Sequence, residues 1–242
     1  GMAGDVGDFD PELMLGFTNA MDGKDIAGIP PEAAEHMVEF FDDVSIEQQA
    51  GMMAALDPEM IGEYFTEGKL VGAVASWDPD AARLVDWDTA AVLIDAIINQ
   101  LDPSDPDNKG TAIPSEVLAA IAGKLSPDAV REGEISPKDM TEIIKGFDGK
   151  DISENYNSGG AGAVIDTIDM GEVTDEVRIE LIGKLGESSE ESQRVDSEKL
   201  EEAIVGADPS HIGDMPQETV GNLVSGLDAD QIADMPEEHK DE

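Results

Sequence analysis

The chain has 242 residues, 40% apolar but only 4% aromatic, and no cysteine. It is long enough for a substantial core of Ala, Ile, Val, Leu and Met, and it lacks any disulfide, thiolate nucleophile or zinc–thiolate site. Fourteen basic residues against 56 acidic ones give a formal charge of −42, which argues against nucleic-acid and anionic-membrane partners and favours basic proteins, cations or a saline medium.

Residues 1–9 form a short acidic leader without the basic-then-apolar pattern of a secretory signal. Gly1 before Met2 reads as an expression scar, and the expected location is cytoplasmic. No apolar run approaches the roughly 18 residues that cross a bilayer, so no membrane insertion is expected.

From residue 10 onward the chain repeats itself. The pentapeptide Asp22-Gly23-Lys24-Asp25-Ile26 returns unchanged at 148–152, and residues 10–26 align without a gap on 136–152, 196–212 and 216–232. Eleven repeats fit, opening at Asp10, Pro30, Ser45, Thr66, Ala90, Pro114, Ser136, Asn157, Thr174, Asp196 and Pro216. At offsets 4, 7, 8 and 11 from each opening the residue is apolar in 41 of 44 cases, Thr18, Gln49 and Arg178 being the exceptions. Those offsets make one stripe of an α-helix. The opening Ser, Thr, Asp or Asn caps that helix, and Pro suits its first turn.

An Asp recurs at offset 12 and an Ile at offset 16. The Asp ends the long helix and caps a short second one, whose Ile turns back to the core. Asp-Gly-Lys-Asp-Ile is thus read as a joint: Gly for the turn, Asp for the cap, Ile for packing. A cation loop at each joint would have only Asp22 with Asp25, or Asp148 with Asp151, which is too few ligands.

The longest insertion, 101–114, contains "DPDNKGTAIPSE", residues 105–116. Asp105, Asp107, Gly110, Thr111 and Glu116 fall at positions one, three, six, seven and twelve of a degenerate EF-hand loop, a candidate calcium or magnesium site with Asp105, Asp107, Thr111 and Glu116 as ligands. Lys109 and Ile113 stand where oxygens belong, so the same segment also reads as an acidic loop. The ninth repeat departs from the rule, with Gly186 at the Asp place and Glu190 at the Ile place. Residues 237–242 form an acidic tail.

Each ridge is too small to fold alone, so neighbours must stack. The expected fold is all-α: an α-solenoid or superhelix of about eleven irregular repeats of ~20 residues, spanning 10–236 as one domain, with a compact helical bundle as the alternative. A subdivision would fall near 102–113. "GIPPEAAEHMVEFFDDVSIEQQAGMMAALDPEMIGEYF", residues 28–65, resembles the N-terminal cytoplasmic domain of MgtE-type magnesium transporters. The resemblance implies a superhelix of short helices and hints at cation sensing, without transport.

His36, His211 and His239 make no paired ligand motif, the Gly-rich stretch 157–163 lacks a phosphate-loop ending, and no serine sits in a nucleophile motif. Trp77 is expected in the core, and Trp87 there or as a partner anchor; Arg83, Arg131, Arg178 and Arg194 are expected to relieve acidic repulsion at the surface. The functional expectation is a non-enzymatic repeat protein, without resident cofactor, offering an acidic surface to a basic or amphipathic protein. A Ca²⁺- or Mg²⁺-responsive module is the alternative, and a hydrolase of unknown type a weaker one.

Overall fold

Ser45 shows how a repeat begins. Its hydroxyl accepts the Gln48 N–H, and the Gln48 side chain accepts the Ser45 N–H at 3.0 Å, closing a capping box ahead of an apolar run. The computed structural model describes residues 11–100 and 112–236, and among them every regular element is a helix.

The helices are α1 (Pro11–Thr18), α2 (Gly23–Ala27), α3 (Pro31–Glu35), α4 (Ile46–Ala55), α5 (Pro58–Tyr64), α6 (Glu67–Val74), α7 (Pro79–Ala82), α8 (Trp87–Gln100) and α9 (Ser115–Ala122). They continue with α10 (Pro127–Glu132), α11 (Pro137–Ile144), α12 (Gly149–Asn155), α13 (Ser158–Thr167), α14 (Asp175–Leu185), α15 (Ser189–Arg194), α16 (Ser197–Val205), α17 (Pro209–Gly213), α18 (Gln217–Val224) and α19 (Ala229–Asp234). Short 3₁₀ helices occupy Val38–Asp43 and Met170–Glu172.

The long-helix, short-helix alternation follows the capping residues. Ser45, Thr66, Ser136, Asn157, Thr174 and Asp196 cap long helices with their side chains, and Pro30 and Pro216 hold the same position without a side-chain bond. At the joints, Asp22, Asp57, Asp78, Asp148, Asp208 and Asp228 cap the short helices, and Asp169 caps the 3₁₀ turn. Each such cap satisfies a backbone N–H that the helix leaves unpaired, worth about 1 kcal/mol.

Three expectations need correction. The fifth repeat opens at Asp86, whose carboxylate accepts the Thr89 N–H at 2.9 Å, so Ala90 lies inside α8. The ninth repeat is not irregular but slipped by two residues: Ser188 caps α15, and Ser192, fully buried, takes the place of the usual Ile while donating to the Ser188 carbonyl at 2.9 Å. The joint glycines are not turn residues, because Gly23 and Gly149 are the first residues of α2 and α12, and among the described residues only Gly133 has a positive φ.

The chain divides into two compact units, Gly1–Val117 and Leu118–Glu242, the boundary falling within α9. One packing recurs in both units. The short helix of a repeat lies on the long helix of the repeat two further on: α2 on α4 and α5 on α8 in the first unit, α10 on α13, α12 on α14 and α15 on α18 in the second. α7 instead lies back on α4, in the repeat before its own, and the long helices α6 and α8, and α13 and α14, also pack together. The joint glycines permit that approach. A Cβ on Gly23 would lie 2.4 Å from the Glu47 carbonyl oxygen, and one on Gly149 would lie 2.8 Å from Cγ of Glu176.

The stripe forms the core. Phe41, Leu56, Trp77, Phe147, Ile168 and Leu185, all at offset 11, are buried, as are the offset-16 residues Ile26, Ile61 and Ile152. The three polar exceptions each find a backbone carbonyl. Thr18 is fully buried and donates to the Met14 carbonyl at 2.9 Å, Gln49 donates to the Phe41 carbonyl at 3.0 Å, and Arg178 donates to the Met170 carbonyl at 2.6 Å and to the Gly206 carbonyl.

Candidate binding groove

Among the described residues of the first compact unit, part of the apolar stripe lines an open groove. Leu13, Met14, Phe17 and Met21 from α1 and its end face Ile29, Ala33 and Met37 around α3, enclosing a groove of about 670 Å³. Glu32 and His36 complete the lining. Leu13 is 65% and Phe17 63% exposed, which is unusual for large apolar side chains standing side by side. The volume lies in the range of sites that bind small molecules or single side-chain clusters.

α1 is held in place from α4. Gln48, buried, donates to the carbonyls of Thr18 at 2.9 Å and Met21 at 2.8 Å, so one amide satisfies two carbonyls around the end of α1 while also serving the Ser45 capping box. α3 is tied to α5 by the Tyr64 hydroxyl, which donates to Glu35. That hydrogen bond, followed by burial and the Glu35 charge, raises the tyrosine above its ordinary pKa.

The surroundings are acidic. Residues 11–43 carry eight Asp or Glu against one Lys. Glu32 and His36 in the groove are exposed, and so is Glu39. At the start of α8, burial and then the charges of Asp86 and Asp57 push the Asp88 carboxyl above its usual range.

The sequence-derived site residues fare differently. Asp105, Asp107 and Thr111 lie outside the described residues, as does His239, while Glu116 is exposed in the first turn of α9. Among the described residues no group of three or more His, Asp or Glu is placed to hold a metal ion. His36 follows the last residue of α3, and His211 in α17 lies 3.4 Å from Asp175.

Trp77 is in the core, whereas Trp87 is 47% exposed at the first residue of α8. The arginines are not a uniform surface set. Arg131, with 17% of its side chain exposed, reaches Asp166 at 2.9 Å and Glu191 at 3.7 Å; Asp166 also accepts the Asp196 N–H at 2.8 Å. Arg194 closes the network onto Asp128 at 3.0 Å and Glu191 at 3.1 Å. This cluster joins α10, α13, α15 and the start of α16.

The groove escaped the sequence reading because Leu13 and Phe17 belong to a repeat that looks ordinary. Among the described residues no helix is long and apolar enough to cross a membrane. Comparison with protein-family models, curated proteins and solved structures returns no match. The "PPE" and "LDPE" segments that carry the resemblance to the MgtE-type domain are helix starts here: Pro30 and Asp57 are N-caps, each followed by Pro at the first helical position.

Proposed function

We propose that the chain is a non-enzymatic helical-repeat binding protein that presents an acidic surface to a protein partner with basic, amphipathic features. The observation that carries the reading is the open apolar groove between α1 and α3 on a chain of charge −42. Apolar contact supplies affinity there, and the surrounding carboxylates select and steer a basic partner. The next-but-one packing within each unit supports the repeat reading. Calorimetric titration of the full chain tests it, with a lysine-rich amphipathic peptide of about fifteen residues against an acidic peptide of equal length at about 150 mM salt. Selective binding of the basic peptide is expected; equal binding, or none by the basic peptide, removes the reading.

A further inference from the structure

The repeat geometry narrows what the groove receives, given the binding reading above. When α2 lies on α4, its glycine meets Glu47, and the α4 residue pressed against it in return is Gly51. When α12 lies on α14, its glycine meets Glu176 and Glu180. These are offsets 2 and 6 of the receiving repeat in both cases. In the second repeat the same offsets are Glu32 and His36, and both line the groove. Phe17, at offset 7, is 63% exposed, whereas its equivalents Met37, Met52, Leu93, Ile143 and Leu181 are buried.

The geometry points to the groove as the seat for the apolar face of a short, basic amphipathic helix from a partner protein, lying where the short helix of a preceding repeat would lie. Charge selects the partner over a second copy of this chain. The chain's own short helices are not basic: α19 carries Asp230 and Asp234 and no basic residue, α2 balances Lys24 with Asp25, and α17 has neither Lys nor Arg. Two chains of −42 also repel one another. A basic helix instead brings its cations to Glu32 and the acids around it.

The test uses two peptides of about fifteen residues made of leucine and lysine, one with leucines at helical spacing and one of identical composition scrambled to have no apolar face. Each is titrated into the full chain and into the double variant Leu13→Ala, Phe17→Ala, whose sites are exposed and whose melting is checked in parallel. The faced peptide is expected to bind more tightly than the scrambled one, and the double variant to weaken it by about tenfold while leaving the scrambled peptide unchanged. If the faced peptide binds both proteins equally, the seat is wrong although the acidic-surface reading stands. If neither peptide binds, the acidic-surface reading falls with it. A dimer seen by light scattering that the double variant dissolves assigns the groove to a second copy and overturns the proposal.

Discussion

Gly51 of α4 is packed so closely on Gly23 of α2 that a Cβ on Gly51 would stand 2.2 Å from the Gly23 carbonyl oxygen. The obstacle is backbone, which cannot swing aside. Gly51→Ala gains about 1 kcal/mol of helix propensity but forces α2 away from α4. A net loss of about 1–3 kcal/mol is expected in urea unfolding. At Gly149 the first atoms met are side-chain atoms of Glu176 and Glu180, so Gly149→Ala is expected to cost less than Gly51→Ala in the same measurement.

Gln48→Ala removes the amide that satisfies the Thr18 and Met21 carbonyls and one half of a capping box. The expected loss is about 2–3 kcal/mol. Hydrogen exchange resolves where it falls: amides of α1 are expected to lose protection more than those of α5.

Tyr156 is buried and its hydroxyl has no hydrogen-bond partner among the described residues. Tyr156→Phe removes an uncompensated polar atom and is expected to stabilise by about 1 kcal/mol near neutral pH. Burial, with the Asp151 charge second, raises the phenol well above its ordinary value. The unfolded chain therefore releases this proton from about pH 10 upward while the folded chain keeps it. Stability falls as pH climbs beyond that point, and the Phe variant is expected to fall less steeply in melts taken across it.

Arg131→Ala leaves Asp166 and Glu191 facing each other without their shared cation. These side chains are less than one-fifth exposed, so water screens them poorly, and a loss of about 2–3 kcal/mol is expected. Arg131→Lys keeps the charge but not the fork, and is expected to recover only part of it. Thermal melts of the three proteins compare them directly.

Raising monovalent salt from about 0.1 M to about 1 M shortens the screening length from about 10 Å to about 3 Å. For a chain of charge −42, the melting temperature is expected to rise over that interval. Ca²⁺ or Mg²⁺ at matched ionic strength is expected to add nothing further. A larger divalent shift would instead favour the cation-responsive alternative and direct attention to Asp105, Asp107, Thr111 and Glu116.

Local chemistry carried most of the fold. A Ser, Thr, Asp or Asn before an apolar stripe writes its own helix start, and Asp at offset 12 writes the next. What local pattern cannot resolve is a slip that preserves the stripe. Asp86 and Ala90 are one helical turn apart and present the same face, so only the cap distinguished them. Ser192 serves in place of an Ile because its hydroxyl bonds a backbone carbonyl, which hydrophobic scoring misses. Partners distant in sequence were equally hidden. Nothing near Gly23 announces Gly51, and nothing near Phe17 announces that its face stays open. The candidate cation loop was legible only as residue types at a spacing, and three of its four ligands lie outside the described residues.

Next-but-one packing also has a consequence for biosynthesis. α2 finds its seat only after α4 has emerged, and α12 only after α14, so the nascent chain runs two repeats ahead of its own completed structure. The lag is short in residues, which keeps loop-closure cost low and favours fast, sequential folding from the ribosome. During that interval α2 and α12 expose Ile26 and Ile152 unpaired, and the dense negative charge of the growing polypeptide keeps neighbouring nascent chains from meeting there.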